Sequence, residues 1–190
     1  MTCGKCGADF CWLCLSLLHL HLQAHTCNRY DPTADAGDDE ERRALFFTDR
    51  FQAHDDAEMF ANDKLKSLNE HGDRLASRLR FVADEELELL VETTEELVAA
   101  RRFVKWSYVA AWALRNESVK LDVFTMSQAT LELVTERLTQ MTLATNLENL
   151  YHAKGERGVR LHFRSMRFLG STIRRYKQRM LSIEDASFGK

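Results

Sequence analysis

Four of the first fourteen residues are cysteines, in the stretch MTCGKCGADFCWLCL, and they fall into two Cys-x-x-Cys pairs, Cys3/Cys6 and Cys11/Cys14. A fifth, Cys27, follows a loop that holds His19, His21 and His25. Two cysteines two residues apart on a tight knuckle can reach a single ion, and zinc is satisfied by four thiolate or imidazole ligands in a tetrahedron. Cys11, Cys14, His21 and Cys27 make one complete set, with His19 and His25 as alternative imidazoles. Four protein ligands close the coordination shell, so such an ion would hold the segment folded and would do no chemistry itself. Cys3 and Cys6 make only half of a second set, because no cysteine occurs after Cys27. A redox role for Cys11 and Cys14 would need an exposed thiol of low pKa, and the nearby His and Cys favour ligation instead. An odd, clustered set of cysteines also argues against a disulfide framework.

The elements that carry this knuckle are of a different kind. The chain has 190 residues, Lys+Arg 26 against Asp+Glu 29, a formal charge of −3 and a single proline, Pro32. A near-balanced charge makes nucleic acid an unlikely partner on these grounds. No apolar run is long enough for a membrane span, and no secretory leader is evident. These features point to an intracellular protein, cytoplasmic and also able to be nuclear.

Composition changes after Cys27-Asn28-Arg29-Tyr30. We expect residues 1–30 to form the zinc module, 31–37 a linker and 38–190 a helical bundle, giving an all-α fold of long helices preceded by a small zinc-binding knuckle. Acids at Asp38 to Glu41 suit a helix amino terminus. Phe47, Phe51, His54, Ala61, Leu65 and Leu68 then follow at helical spacing. Asn69 to Gly72 should end that helix, and a short apolar piece spans Leu75 to Val82. A second long stretch starts near Asp84 and runs through Leu114, with Leu90, Leu97, Val98, Tyr108 and Ala111 on one side. A third, about Lys120 to Leu143, is expected to turn Val123, Leu131, Val134, Leu138 and Met141 inward. The last uses Val159, Met166, Leu169, Ile173, Tyr176, Met180 and Ile183. Four long antiparallel helices with short connections pack as a bundle, and bulky aromatics such as Trp106 and Trp112 disfavour a regular coiled-coil seam.

The residues Met1-Thr2-Cys3, Cys6, Phe10-Cys11-Trp12-Leu13-Cys14, a following His and Cys27-Asn28-Arg29-Tyr30 resemble the last RING-like module of RING-in-between-RING (RBR) ubiquitin ligases. With the acidic linker and long helices, the whole chain resembles the carboxy-terminal part of the Ariadne subfamily. The resemblance implies two zinc ions, with Cys3 and Cys6 in the first site and Cys11, Cys14, His21 and Cys27 in the second. Cys3 and Cys6 are two residues apart where Ariadne relatives often have four. It also implies partners, a ubiquitin-conjugating enzyme and ubiquitin, and a catalytic cysteine that carries ubiquitin as a thioester. The family motif places that cysteine just before the position of Cys3, so this chain is expected to be a fragment beginning after its family's nucleophile and to be inactive alone. The bundle would restrain the catalytic module through an aromatic-acid pair on its first helix and a later acid. Phe60 matches the aromatic, Ala61 stands in the place of its acid, and Glu132 matches the later acid. Packing in the core is the plainer expectation for Phe60.

Two readings follow: a piece of an Ariadne-type ligase, or a non-catalytic zinc-knuckle and bundle module for protein interaction. Acids from Asp84 to Glu96 and bases from Arg157 to Arg179 are expected chiefly to be solvated faces attracting each other across the bundle. An acidic protein partner at the basic last helix is the alternative. No glycine-rich phosphate loop and no Ser, His and Asp set with a local signature is present.

Overall fold

The structure is a computed structural model that describes residues 39–114 and 118–188 together with Ala8 and Tyr30. The described chain is all helical: α1 (Asp39–Glu70), α2 (Gly72–Arg78), α3 (Asp84–Ala113), α4 (Ser118–Met141) and α5 (Ala144–Phe188). α1, α3 and α4 fall where the apolar period places them, the short apolar piece contributes α2, and α5 covers the expected Val159 to Ile183 but starts earlier, at Ala144.

Local chemistry accounts for several ends. Asp39, Glu40 and Glu41 occupy the first turn of α1, where carboxylates face the positive end of the helix dipole. At the start of α3 the Glu86 carboxylate accepts the Ala83 backbone N–H at 3.1 Å, satisfying a donor that the helix leaves unpaired. Inside α5, Gly155 has φ 61° and ψ −166°, a conformation available essentially to glycine alone. The helix therefore kinks there.

α3 is the central element, packed against α1, α4 and α5. Ion pairs and hydrogen bonds fix the directions. Asp55 meets Lys105 and Glu58 meets Arg102, so α1 and α3 run antiparallel. Arg101 meets Glu136 and Tyr108 meets Glu132, so α3 and α4 do too. His54 meets Glu132 and Lys64 meets Thr142, which sets α1 and α4 parallel.

The core is filled by Leu90, Leu97, Tyr108, Phe124, Leu131, Leu138, Leu147, Met166, Ile173 and Met180, all essentially without solvent contact. Phe81, just after α2, stacks on Tyr151 of α5 with ring centroids 4.0 Å apart. One inward assignment is corrected. Val123 is 38% exposed, and Phe124 is fully buried beside it. The buried row Phe124, Gln128, Leu131, Thr135, Leu138 and Thr142 keeps steps of four and three, which sets Val123 about 100° off that row. The larger aromatic side chain occupies the interior because it removes more apolar surface from water.

Candidate functional site

The residues expected to bind zinc, Cys3, Cys6, Cys11, Cys14, His21 and Cys27, lie outside the described residues, as do His19 and His25. The donor set itself suits zinc in number and type, three thiolates and an imidazole. Among the described residues no group of three or more His, Cys, Asp or Glu side chains could hold a metal ion.

Tyr30, the last residue of the Cys-Asn-Arg-Tyr stretch, is described, and it is tied to the bundle. Its hydroxyl donates to Asp39 Oδ1 at 2.5 Å, at the first residue of α1. That carboxylate raises the Tyr30 phenol above its ordinary value, because losing the proton would lose the bond and set two anions together. The Tyr30 ring meets Phe46 edge-on at 5.6 Å. Arg43 lays its guanidinium over Tyr30, Phe47 and Trp112 at 5.6 to 5.7 Å, within cation–π range. Phe46 and Phe47 in turn contact Tyr108. The end of the cysteine-bearing segment thus joins an aromatic cluster that reaches the centre of the bundle.

Below that cluster lies a polar array, buried at His54, Glu58, Arg101, Lys105 and Glu132 and open to solvent at Arg102. His54 Nε2 is 2.5 Å from Glu132 Oε1, and the Tyr108 hydroxyl donates to the same oxygen at 2.7 Å. His54 and Tyr108 also stack, with centroids 5.4 Å apart. His54 Nδ1 has no hydrogen-bond partner among the described residues. Lys105 donates to Asp55 at 2.8 Å and Glu58 at 2.6 Å, and Arg102 donates to Glu58 at 2.7 Å. Arg101 reaches Glu136 and Thr139.

Electrostatics follow from these partners. Burial pushes the Glu58 carboxyl up, but hydrogen bonds and charge from Lys105 and Arg102 outweigh it and hold Glu58 below its usual range. For Glu136, burial again opposes ionisation, and Arg101 prevails to lower it. Bonds to Asp55 and Glu58 raise Lys105. Lys64 has no such carboxylate among the described residues: its amine donates to the Thr142 carbonyl at 2.5 Å and hydroxyl at 2.7 Å, and burial lowers it to about 8.

The two candidate regulatory residues occupy different environments. Phe60 is 58% exposed on α1, so the core packing expected of an aromatic at helical spacing is not what this residue does. Its neighbour Ala61 takes the interior position. Glu132 is 5% exposed and engaged in the array with His54 and Tyr108. One lies on the outside of the bundle and the other within it.

Sequence reasoning missed the ion pairs of α1 and α3. The available signal was the position of Arg101 and Lys105 on the same face as Leu97, Val104 and Tyr108, where charge needs a partner from a neighbouring helix. Among the described residues, the expected attraction between the acidic start of α3 and basic α5 comes down to one carboxylate, Glu96, which takes Arg174 at 3.5 Å and Lys177 at 3.3 Å.

No family model matches the chain. Among curated proteins, the probable E3 ubiquitin-protein ligase rbrA of Dictyostelium discoideum is 28% identical over 73% of this chain and 30% of its own length. Ankyrin repeat and IBR domain-containing protein 1 of Homo sapiens is 26% identical over 92% of this chain and 18% of its own. The E3 ubiquitin-protein ligase dbl4 of Schizosaccharomyces pombe is 28% identical over 74% and 29%. The chain is distantly similar to RBR ubiquitin ligases of the Ariadne type. It spans less than a third of the length of each of these relatives. No described helix is long and apolar enough to cross a membrane.

Proposed function

We propose that this chain corresponds to the carboxy-terminal part of an RBR-type ubiquitin ligase, a zinc-bound end of the last RING-like module joined to a regulatory helical bundle. The observation that carries this reading is the match over 92% of the chain to a relative named for its IBR domain, which extends beyond the bundle into the cysteine-bearing segment. In this reading residues 1–30 are the module, 31–37 the linker and 38–190 the bundle. Cys11, Cys14, His21 and Cys27 hold a structural zinc ion, and Cys3 and Cys6 supply half of a second site. Zinc there fixes the fold of the module and leaves no open position for substrate.

The ligase chemistry is transfer of ubiquitin from a conjugating enzyme to a cysteine thiolate as a thioester, and then to a substrate lysine amine. All five cysteines of the chain are assigned to zinc, so none is left to carry the thioester, and the chain alone is expected to be inactive. The bundle restrains the catalytic module. Phe60 supplies an exposed contact, and Glu132 acts from inside by bracing α1 against α3 and α4. Tyr30, bonded to Asp39, couples the two parts.

The test is a chimera in which this chain replaces the matching segment of the Dictyostelium relative. It should form a reducible ubiquitin adduct slowly, and Phe60→Ala should speed adduct formation several-fold while Cys27→Ser abolishes it with loss of one tightly held zinc ion by native mass spectrometry. Equal rates for the unsubstituted chimera and its Phe60→Ala variant would remove the restraint from the proposal. The lack of a free thiol favours a second reading, a non-catalytic interaction module. A folded, zinc-loaded chimera that forms no adduct would support it.

A further inference from the structure

Two stripes run side by side along the outer surface of α5. One carries Leu161 and Phe168, 54% and 67% exposed, with Ser165 between them. The other carries Arg157, Arg160, Arg164 and Arg167, all exposed and spaced three, four and three residues, so that they share one edge of the helix. Arg160 has Glu156 at 3.8 Å, with both side chains mostly in water, a contact of little energy. Arg157, Arg164 and Arg167 have no carboxylate within ion-pair distance among the described residues.

The facing helix completes the arrangement. α4 contributes Arg137 to the opposite wall of a groove of about 450 Å³ whose lining also includes Met141, Lys154, Leu161 and Phe168. One turn before Arg137, Leu133 is 70% exposed. Gly158 also lines the groove, and a Cβ there would come within 2.5 Å of Lys154 Cβ. An apolar strip is therefore edged by cations on both helices, in a chain whose net charge is −3. The positive field is local to this face and opposite in sign to the molecule as a whole.

We infer that the α4–α5 groove docks an acidic amphipathic helix of a partner protein. Leu, Met or Phe anchors enter between Leu161 and Phe168, and Asp or Glu along its two edges meet Arg157, Arg164 and Arg167 on one side and Arg137 and Lys154 on the other. Exposed apolar side chains scattered singly need no explanation, but an apolar strip flanked by unpaired cations matches the helix-in-groove mode of recognition, with charge fixing orientation. A nucleic acid backbone would use the arginines and leave Leu161 and Phe168 without a role. The groove uses none of the residues assigned to zinc in the ligase reading, so it stands or falls separately from that reading.

The probe is a fluorescein-labelled helical peptide of about 18 residues with Leu on one face and Glu along both edges, titrated with the full chain. It should bind saturably, more weakly at high salt. Phe168→Ser and the pair Arg164→Glu/Arg167→Glu should each weaken it about tenfold or more. A peptide with Lys in place of Glu should bind the Arg164→Glu/Arg167→Glu variant better than the original chain. All these positions are exposed, so far-ultraviolet circular dichroism should be unchanged; if Phe168→Ser disturbs it, Leu161→Ser takes its place. The inference is overturned if the acidic peptide does not saturate, or if a scrambled peptide of the same composition binds equally. It is also overturned if phosphatidylserine vesicles or single-stranded RNA bind more tightly and are indifferent to Phe168→Ser.

Discussion

The seam where α1 meets α3 mixes aromatic contacts with a charged cluster, whereas the layer that α4 and α5 bring to the core is apolar. The first is held by Asp55, Glu58, Arg102 and Lys105, with His54, Tyr108 and Glu132 beside them. The second is apolar, with Leu131 and Leu138 on α4 and Val159, Phe163, Met166, Ile173 and Met180 on α5. Buried ion pairs recover little more than the cost of removing charge from water, yet their geometry tolerates few alternatives. Apolar burial supplies free energy without direction. The α4–α5 layer accordingly contributes free energy without direction, and the charged part of the α1–α3 seam fixes which turn of one helix lies against which turn of the other.

That division can be broken by substitution. The largest effect is expected from Ile173→Ala or Phe163→Ala, each costing about 3–5 kcal/mol in urea unfolding. Glu58→Ala, which leaves Lys105 with Asp55 alone, should cost about 2–3 kcal/mol, less than a full orphaning of the charge. Adding Lys105→Met to it should cost less than the two single changes together. Strict additivity in that cycle would mean the seam is not coupled.

Acidity and alkalinity should act on the polar groups in opposite ways. Glu58 and Glu136 are held below the ordinary value of 4.5. Their contribution is present above that value and is lost as pH falls through the lower folded values. Lys64 moves from 10.5 to about 8. Between those values the unfolded chain holds a proton that the folded chain has released, so stability should rise with pH across that window. Lys64→Met should flatten the rise in thermal melts, and a slope that survives this substitution would remove Lys64 as its cause. The smallest effect is expected at the surface: Lys66 and Glu70, 3.9 Å apart and exposed, should contribute under about 0.5 kcal/mol, measured as Glu70→Gln.

Much of the bundle was legible because few glycines and one proline interrupt a steady helical period, which made α1, α3 and α4 readable close to their ends; the reading of α5 began at Val159 and left its leading piece, from Ala144 to the break at Gly155, unread. The phase within a helix was less secure. Val123 and Phe124 are both apolar, and only packing decides which one turns inward. Phe60 and Ala61 pose the same problem, with the aromatic outside and the small residue inside. The charged seam was harder still, since Arg101 and Lys105 can be buried only because Glu136, Asp55 and Glu58 arrive from helices distant in sequence. The residues expected to bind zinc lie outside the described residues, so their spacing stands as an expectation from sequence.

The left-handed Gly155 divides α5 into a leading piece anchored by Leu147 and by Tyr151 stacked on Phe81, and a longer piece anchored from Val159 onward. A short foreign loop inserted there meets a backbone that has already left the helix, with nothing within 4 Å of where a side chain would begin. The chain therefore carries a natural splice point for a reporter or affinity tag inside its longest helix, a position where helices ordinarily accept none.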